Sequence, residues 1–117
     1  MIKGKVNNVM GFSNNVTGNI NMVFGDANSL KGNENKVAGD NNRVAGDVNI
    51  LKGNNNSIAG SQNLLQGNSS NINGSYNAVN GNENNVRGNE NSAIGNKNTL
   101  EGNKNQLLGS ENSVKGN

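Results

Sequence analysis

All seventeen glycines of this chain, from Gly4 to Gly116, fall on one register of seven, and none lies elsewhere. Three residues after each of the first sixteen stands asparagine, from Asn7 to Asn112, with Ser70 the one exception. Five residues after stands an aliphatic, from Val9 through Leu51 and Ala93 to Val114. The unit is G-[N/D/S]-x-N-x-[V/I/L]-x. A period this strict outranks any residue-by-residue reading of structure.

A heptad suggests a coiled coil, but this one does not suit a helix. A glycine every two turns costs about 1 kcal/mol each against alanine, and only one heptad position is apolar where a coiled-coil seam needs two. Collagen demands glycine at every third residue with abundant proline, and this chain has no proline. A strand fits. Side chains alternate across a strand, so the asparagine at +3 and the aliphatic at +5 face the same way. Positions +2, +4 and +6 then face outward, and glycine with its follower makes a corner, where positive φ is tolerated.

One heptad therefore makes a short strand and a corner, and two make a flattened coil of fourteen residues. The charges choose fourteen over seven. The residues two after successive glycines at the C-terminal end are Glu83, Glu90, Lys97, Lys104 and Glu111. A seven-residue stack sets Glu83 on Glu90 and Lys97 on Lys104. A fourteen-residue stack alternates Glu83, Lys97 and Glu111 on one side and pairs Glu90 with Lys104 on the other. Arg87, Glu101 and Lys115 form a second alternating column. Like charges directly opposite destabilise a sheet pair, and unlike charges favour it by a few tenths of a kcal/mol. The expected fold is an all-β solenoid of about eight coils over residues 1–117 as a single repeat domain, with inward aliphatic and asparagine columns. Buried amides must be bonded, so the asparagines must bond along the stack and to corner backbone. At Ser70 the missing rung predicts a water or a local bulge.

Composition excludes several functions. The net charge is +2, with basic residues scattered among acids and aromatics at 3%, which does not make a nucleic-acid surface. There is no cysteine or histidine, and the eight acids sit at corners (Asp26, Asp40, Asp47) or in outward columns. None has the burial that raises a carboxyl pKa for acid–base work, so an enzyme is not expected. The corner aspartates lack the nonapeptide spacing of calcium-binding rolls, and no cofactor is implied. No apolar run is long enough for a membrane span. The start, "MIKGKVNNVMG", has no signal-peptide core, which reads as a cytoplasmic start or a chain trimmed to its repeats. Glycosylation sequons at Asn15, Asn55, Asn68 and Asn73 are expected by chance in so asparagine-rich a chain.

The repeat, as in "GDNNRVAGDVNILKGNNNSIAG" from Gly39 to Gly60, resembles that of the grass ice-recrystallisation-inhibition and ryegrass antifreeze family, whose unit is x-x-N-x-V-x-G. The resemblance runs from Gly4 onward. It implies a left-handed β-roll with one face that adsorbs to ice. Threonine, which the family often places just before the valine, stands here only at Thr17 and Thr99.

The alternate heptads present two different faces. The set following Gly4, Gly18 and every fourteenth residue has thirteen apolar outward sites of twenty-four: Val6, Met10, Ile20, Met22, Phe24, Ala38, Val48, Ile50, Leu64, Tyr76, Ala78, Ile94 and Leu108. The other set has three, all alanine. Apolar patches of this extent mark contacts, so the first face is a candidate for self-association, as a dimer or a fibre. The central outward column of the second face reads Asn15, Ser29, Arg43, Ser57, Asn71, Asn85, Thr99, Ser113. All but Arg43 are small and hydrogen-bonding, and these seven are the ice-binding candidates. The repeat also runs to both ends without a polar cap, which predicts a piece of a longer array or end-to-end stacking. Two functions follow: ice binding through the second face, or a structural protein assembling with itself through the first.

Overall fold

The computed structural model describes all of residues 1–117 and is built from strands and bends, with no helix. The two-residue strand β1 (Ile2–Lys3) is followed by sixteen three-residue strands. They run from β2 (Asn8–Met10) and β3 (Asn15–Thr17) to β16 (Gln106–Leu108) and β17 (Ser113–Lys115), one per heptad. All pairing is parallel and joins residues fourteen apart: Asn15 with Ser29, Leu65 with Val79, Glu101 with Lys115. The odd strands form a nine-stranded sheet and the even strands an eight-stranded sheet. The long axis of 39 Å is what eight steps of about 4.8 Å give.

Between the sheets lies a narrow core of fourteen buried hydrophobic residues, from Val16 to Leu107, with Val9 and Val114 half-buried at the two ends. Beside it run two columns of buried amides. Asn49 illustrates their bonding: its Nδ2 donates to Gly60 O at 2.8 Å and to Asn35 Oδ1 at 3.0 Å. Its own Oδ1 accepts the backbone N–H of Asn63 at 3.0 Å. Each amide thus satisfies corner carbonyls and coil backbone that no strand ladder reaches, which is what makes so polar an interior tolerable. The glycine requirement follows from the same stacking. A Cβ on Gly46 would lie 1.9 Å from Gly60 O, and the residue sits at φ +131°.

Three expectations need correction. The corner comprises three residues, not two. The residue at +2 is in the left-handed region in every complete heptad, for example Val6 at φ 57° and Glu83 at φ 58°, so it caps the corner instead of lying in the sheet. Reversing the chain within a coil this thin needs a second left-handed residue after the glycine. The charge columns stack as expected, with Lys97 N–H bonded to Asn82 O and Glu111 N–H to Asn96 O, both at 2.9 Å. Of the expected ion pairs, however, only Lys115 Nζ to Glu101 Oε2 closes, at 3.4 Å. The corner side chains gain more from water than from holding one geometry. Finally, Ser70 makes no bulge. Asn71 keeps its register with both Ser57 and Asn85, because the Ser70 hydroxyl accepts the Asn84 N–H at 3.1 Å and reaches Gly81 O at 3.3 Å. One oxygen does both of the amide's backbone tasks.

Candidate functional site

The odd sheet brings the seven candidate residues together. Each opens its strand, and the register places Asn15, Ser29, Arg43, Ser57, Asn71, Asn85, Thr99 and Ser113 in one column, consecutive members directly paired. The following residue in every strand is the buried aliphatic, so these side chains are held outward by the pleat. Most are exposed, with Ser57 and Asn85 half-buried. The column beside it reads Thr17, Lys31, Ala45, Ala59, Asn73, Arg87, Glu101, Lys115. From Ala45 through Ser57, Ala59, Asn71 and Asn73 to Asn85 the two columns carry no charge. Charged side chains bracket that window, Arg43 and Lys31 on one side and Arg87 and Glu101 on the other.

Asn85 marks a second feature. Its Oδ1 is buried and has no hydrogen-bond partner, an uncommon state for a side-chain acceptor. In the column Asn85 stands between Asn71 and Thr99.

Rigidity comes from below and from the side. The buried amides lock each coil to the next, and an outer ladder at the corners does so again. Asp26 Oδ1 accepts the Phe12 N–H at 2.6 Å, Asp40 Oδ1 the Asp26 N–H at 2.7 Å, and Asp47 Oδ1 the Asn33 N–H at 2.7 Å. The corner aspartates, exposed or half-buried, are thus also backbone acceptors. Their signal was the preference for Asn, Asp or Ser directly after glycine. No group of three or more metal-ligating side chains is formed.

The self-association candidates divide into two. Met10, Met22, Phe24, Ile50, Leu64, Ile94 and Leu108 lie in the even sheet, pointing outward and exposed. Val6, Ile20, Val48 and Tyr76, expected on the same face, are corner residues with φ of 57–60°. Valine and isoleucine are rare in this region because the branched Cβ crowds the backbone. The corners that lead into the odd sheet carry no β-branched residue at this position. Shallow depressions occur in the even sheet over Ala38, between Phe24 and Ile50, and over Ala78, between Leu64 and Ile94.

A family model described as the grass antifreeze beta roll matches residues 27–116. No curated protein matches the chain.

Proposed function

The chain belongs to the grass antifreeze beta-roll family, and from that premise we propose that it binds ice and inhibits recrystallisation through the odd sheet. The family and the solenoid fold are of a non-enzymatic kind, and the family match supports ice as the binding partner. The observation that carries the choice of face is the register of the central column. Small hydroxyl and amide groups recur on consecutive parallel strands about 4.8 Å apart, close to a repeat of the ice lattice. Water ordered by such a column is already arranged like the first layer of the crystal. The two amide ladders hold the rungs before contact, so little conformational freedom is lost on adsorption. Lysine, arginine and glutamate keep liquid-like hydration, so adsorption centres on the uncharged window around Ser57, Asn71 and Asn85, with Asn15, Ser29, Thr99 and Ser113 extending it.

The test is an ice-recrystallisation assay on micromolar protein with Asn71→Tyr and Thr99→Tyr beside the parent. Tyrosine suits a strand but breaks the small-residue column. A loss of at least roughly tenfold in potency, equivalent to about 1.4 kcal/mol, with an unchanged far-ultraviolet circular dichroism spectrum is expected. Equal potency in both variants would clear this sheet of the role.

A second reading, a structural protein assembling with itself, draws on the exposed apolar side chains of the even sheet. Negative-stain images with filaments would favour it, and short monodisperse rods would count against fibres.

A further inference from the structure

The even sheet is self-complementary about its own midpoint, which falls between β8 (Ile50–Lys52) and β10 (Leu64–Gln66). Ile50 and Leu64 stand on either side of that point at the first strand position, and Lys52 and Gln66 at the third. Two steps further out, Phe24 in β4 (Met22–Phe24) matches Ile94 in β14 (Ser92–Ile94). At the ends Met10 matches Leu108. Read outward from the midpoint, the third-position column is polar, then small or amide, then apolar, then apolar in both directions.

A twofold axis in the plane of the sheet, perpendicular to the roll, superposes these positions on one another in a second copy. We infer that the even sheet is the interface of a back-to-back homodimer, with Phe24 packed on Ile94 of the second copy, Met10 on its Leu108, and Ile50 on its Leu64 across the axis. Two sheets packed this way sit about 10 Å apart, and the contact is the isologous kind that closes at two subunits and does not propagate into a fibre.

Size, charge and relief all agree with this occupant. The molecule measures 39 × 19 × 13 Å, so its broad face offers roughly 700 Å² per copy, near the ~800 Å² per partner of a stable interface. In this register Lys52 meets Gln66 and Lys36 meets Ala78, and no like charges face. Moving the axis by half a strand spacing onto β8 would set Lys52 against its own copy, so repulsion disfavours that shift. The depression over Ala78 is where the Lys36 stem of the second copy lies, its ammonium running out to the rim. The depression over Ala38 receives Asn80 of the second copy.

The apolar side chains concerned are 40–80% exposed in the single chain, the condition such a contact relieves. The strained Val6, Ile20 and Val48 all lie on the one edge of the roll where the chain passes from the odd sheet into the even sheet. The dimer would leave the two odd sheets facing outward in opposite directions. Resting on the ice-binding reading above, one molecule would then carry two ice faces and could hold two neighbouring crystals.

Sedimentation velocity on the parent, on Phe24→Lys, on Ile94→Glu and on the double variant decides it. Residues 24 and 94 are five strands apart within one chain but face each other across the twofold axis. The parent is expected to sediment at twice the 12.2 kDa chain mass, each single variant at the chain mass, and the double variant at twice that mass again. Circular dichroism should be the same for all four. A parent at 12.2 kDa, a single variant that remains dimeric, or a folded double variant that stays monomeric would overturn the interface. A monomeric parent that floats with phosphatidylcholine vesicles would assign the face to lipid instead. Recrystallisation assays on the same four proteins report on the two ice faces separately. The single variants should lose potency severalfold and the double recover it. An inactive parent that still sediments as a dimer would refute ice binding and leave the interface standing.

Discussion

Replacing Asn49 by alanine isolates the contribution of the buried amide ladder. Asn49 is fully buried. Its Nδ2 is the sole hydrogen-bond donor to Gly60 O, and its Oδ1 is the sole acceptor for the Asn63 N–H. Alanine leaves one buried backbone N–H and one part-buried carbonyl unpaired. Each such group costs about 1–3 kcal/mol, so the substitution should destabilise by about 2–6 kcal/mol, a large share of the 5–15 kcal/mol typical of a folded domain. Serine should cost much less, about 1 kcal/mol, because the chain carries its own precedent. The Ser70 hydroxyl accepts one backbone N–H at 3.1 Å and reaches one corner carbonyl at 3.3 Å, longer than the amide's bonds but serving the same groups. Urea unfolding followed by circular dichroism measures all three proteins. Since neighbouring coils interact only in sequence, the alanine variant should also show a broadened transition as the two halves of the roll uncouple. An alanine variant within 1 kcal/mol of the parent, or a serine variant as damaged as alanine, would refute the assignment of coil cohesion to these bonds.

Gly46→Ala should lower stability by about 3–6 kcal/mol through combined overpacking and backbone strain, since its Cβ would collide with Gly60 O. Gly116→Ala, whose Cβ meets nothing within 4 Å, should retain the parent melting curve to within the strain term alone. Arg43→Thr should raise recrystallisation potency while changing stability by no more than about 0.5 kcal/mol, because it removes the one charge from an exposed column and leaves a strand-favouring hydroxyl; an unchanged or weaker potency in the ice assay would count against the proposed column. Val48→Asn should stabilise by about 1 kcal/mol in thermal unfolding, because asparagine visits the left-handed region more readily than valine. A loss of stability there would mean that the valine side chain is held by contacts that outweigh its strain.

Spacing alone is enough to specify the coil. Glycine at every seventh position, asparagine three later and an aliphatic five later are enough to set inside against outside. The alternation of Glu83, Lys97 and Glu111 is enough to choose fourteen residues per turn over seven. These are local or strictly periodic constraints, and repetition makes each of them legible many times over. The two unlike faces were legible for the same reason, since the pleat sends +4 and +6 outward on every strand. Three matters were decided only by the closed coil. Whether +2 belongs to the sheet or to the corner depends on how sharply the chain must reverse across a core one side chain thick, and no pattern of polarity records that; Val6, Ile20 and Val48 even argue the wrong way. Which stacked charges touch depends on side-chain directions at a solvated surface, so Lys115 meets Glu101 on the sheet while Lys97 and Glu83 stay apart at the corner. And the roles of Ser70 and of the corner aspartates rest on distances of a few tenths of an ångström between backbones fourteen residues apart, which exist only once one coil has been laid upon another.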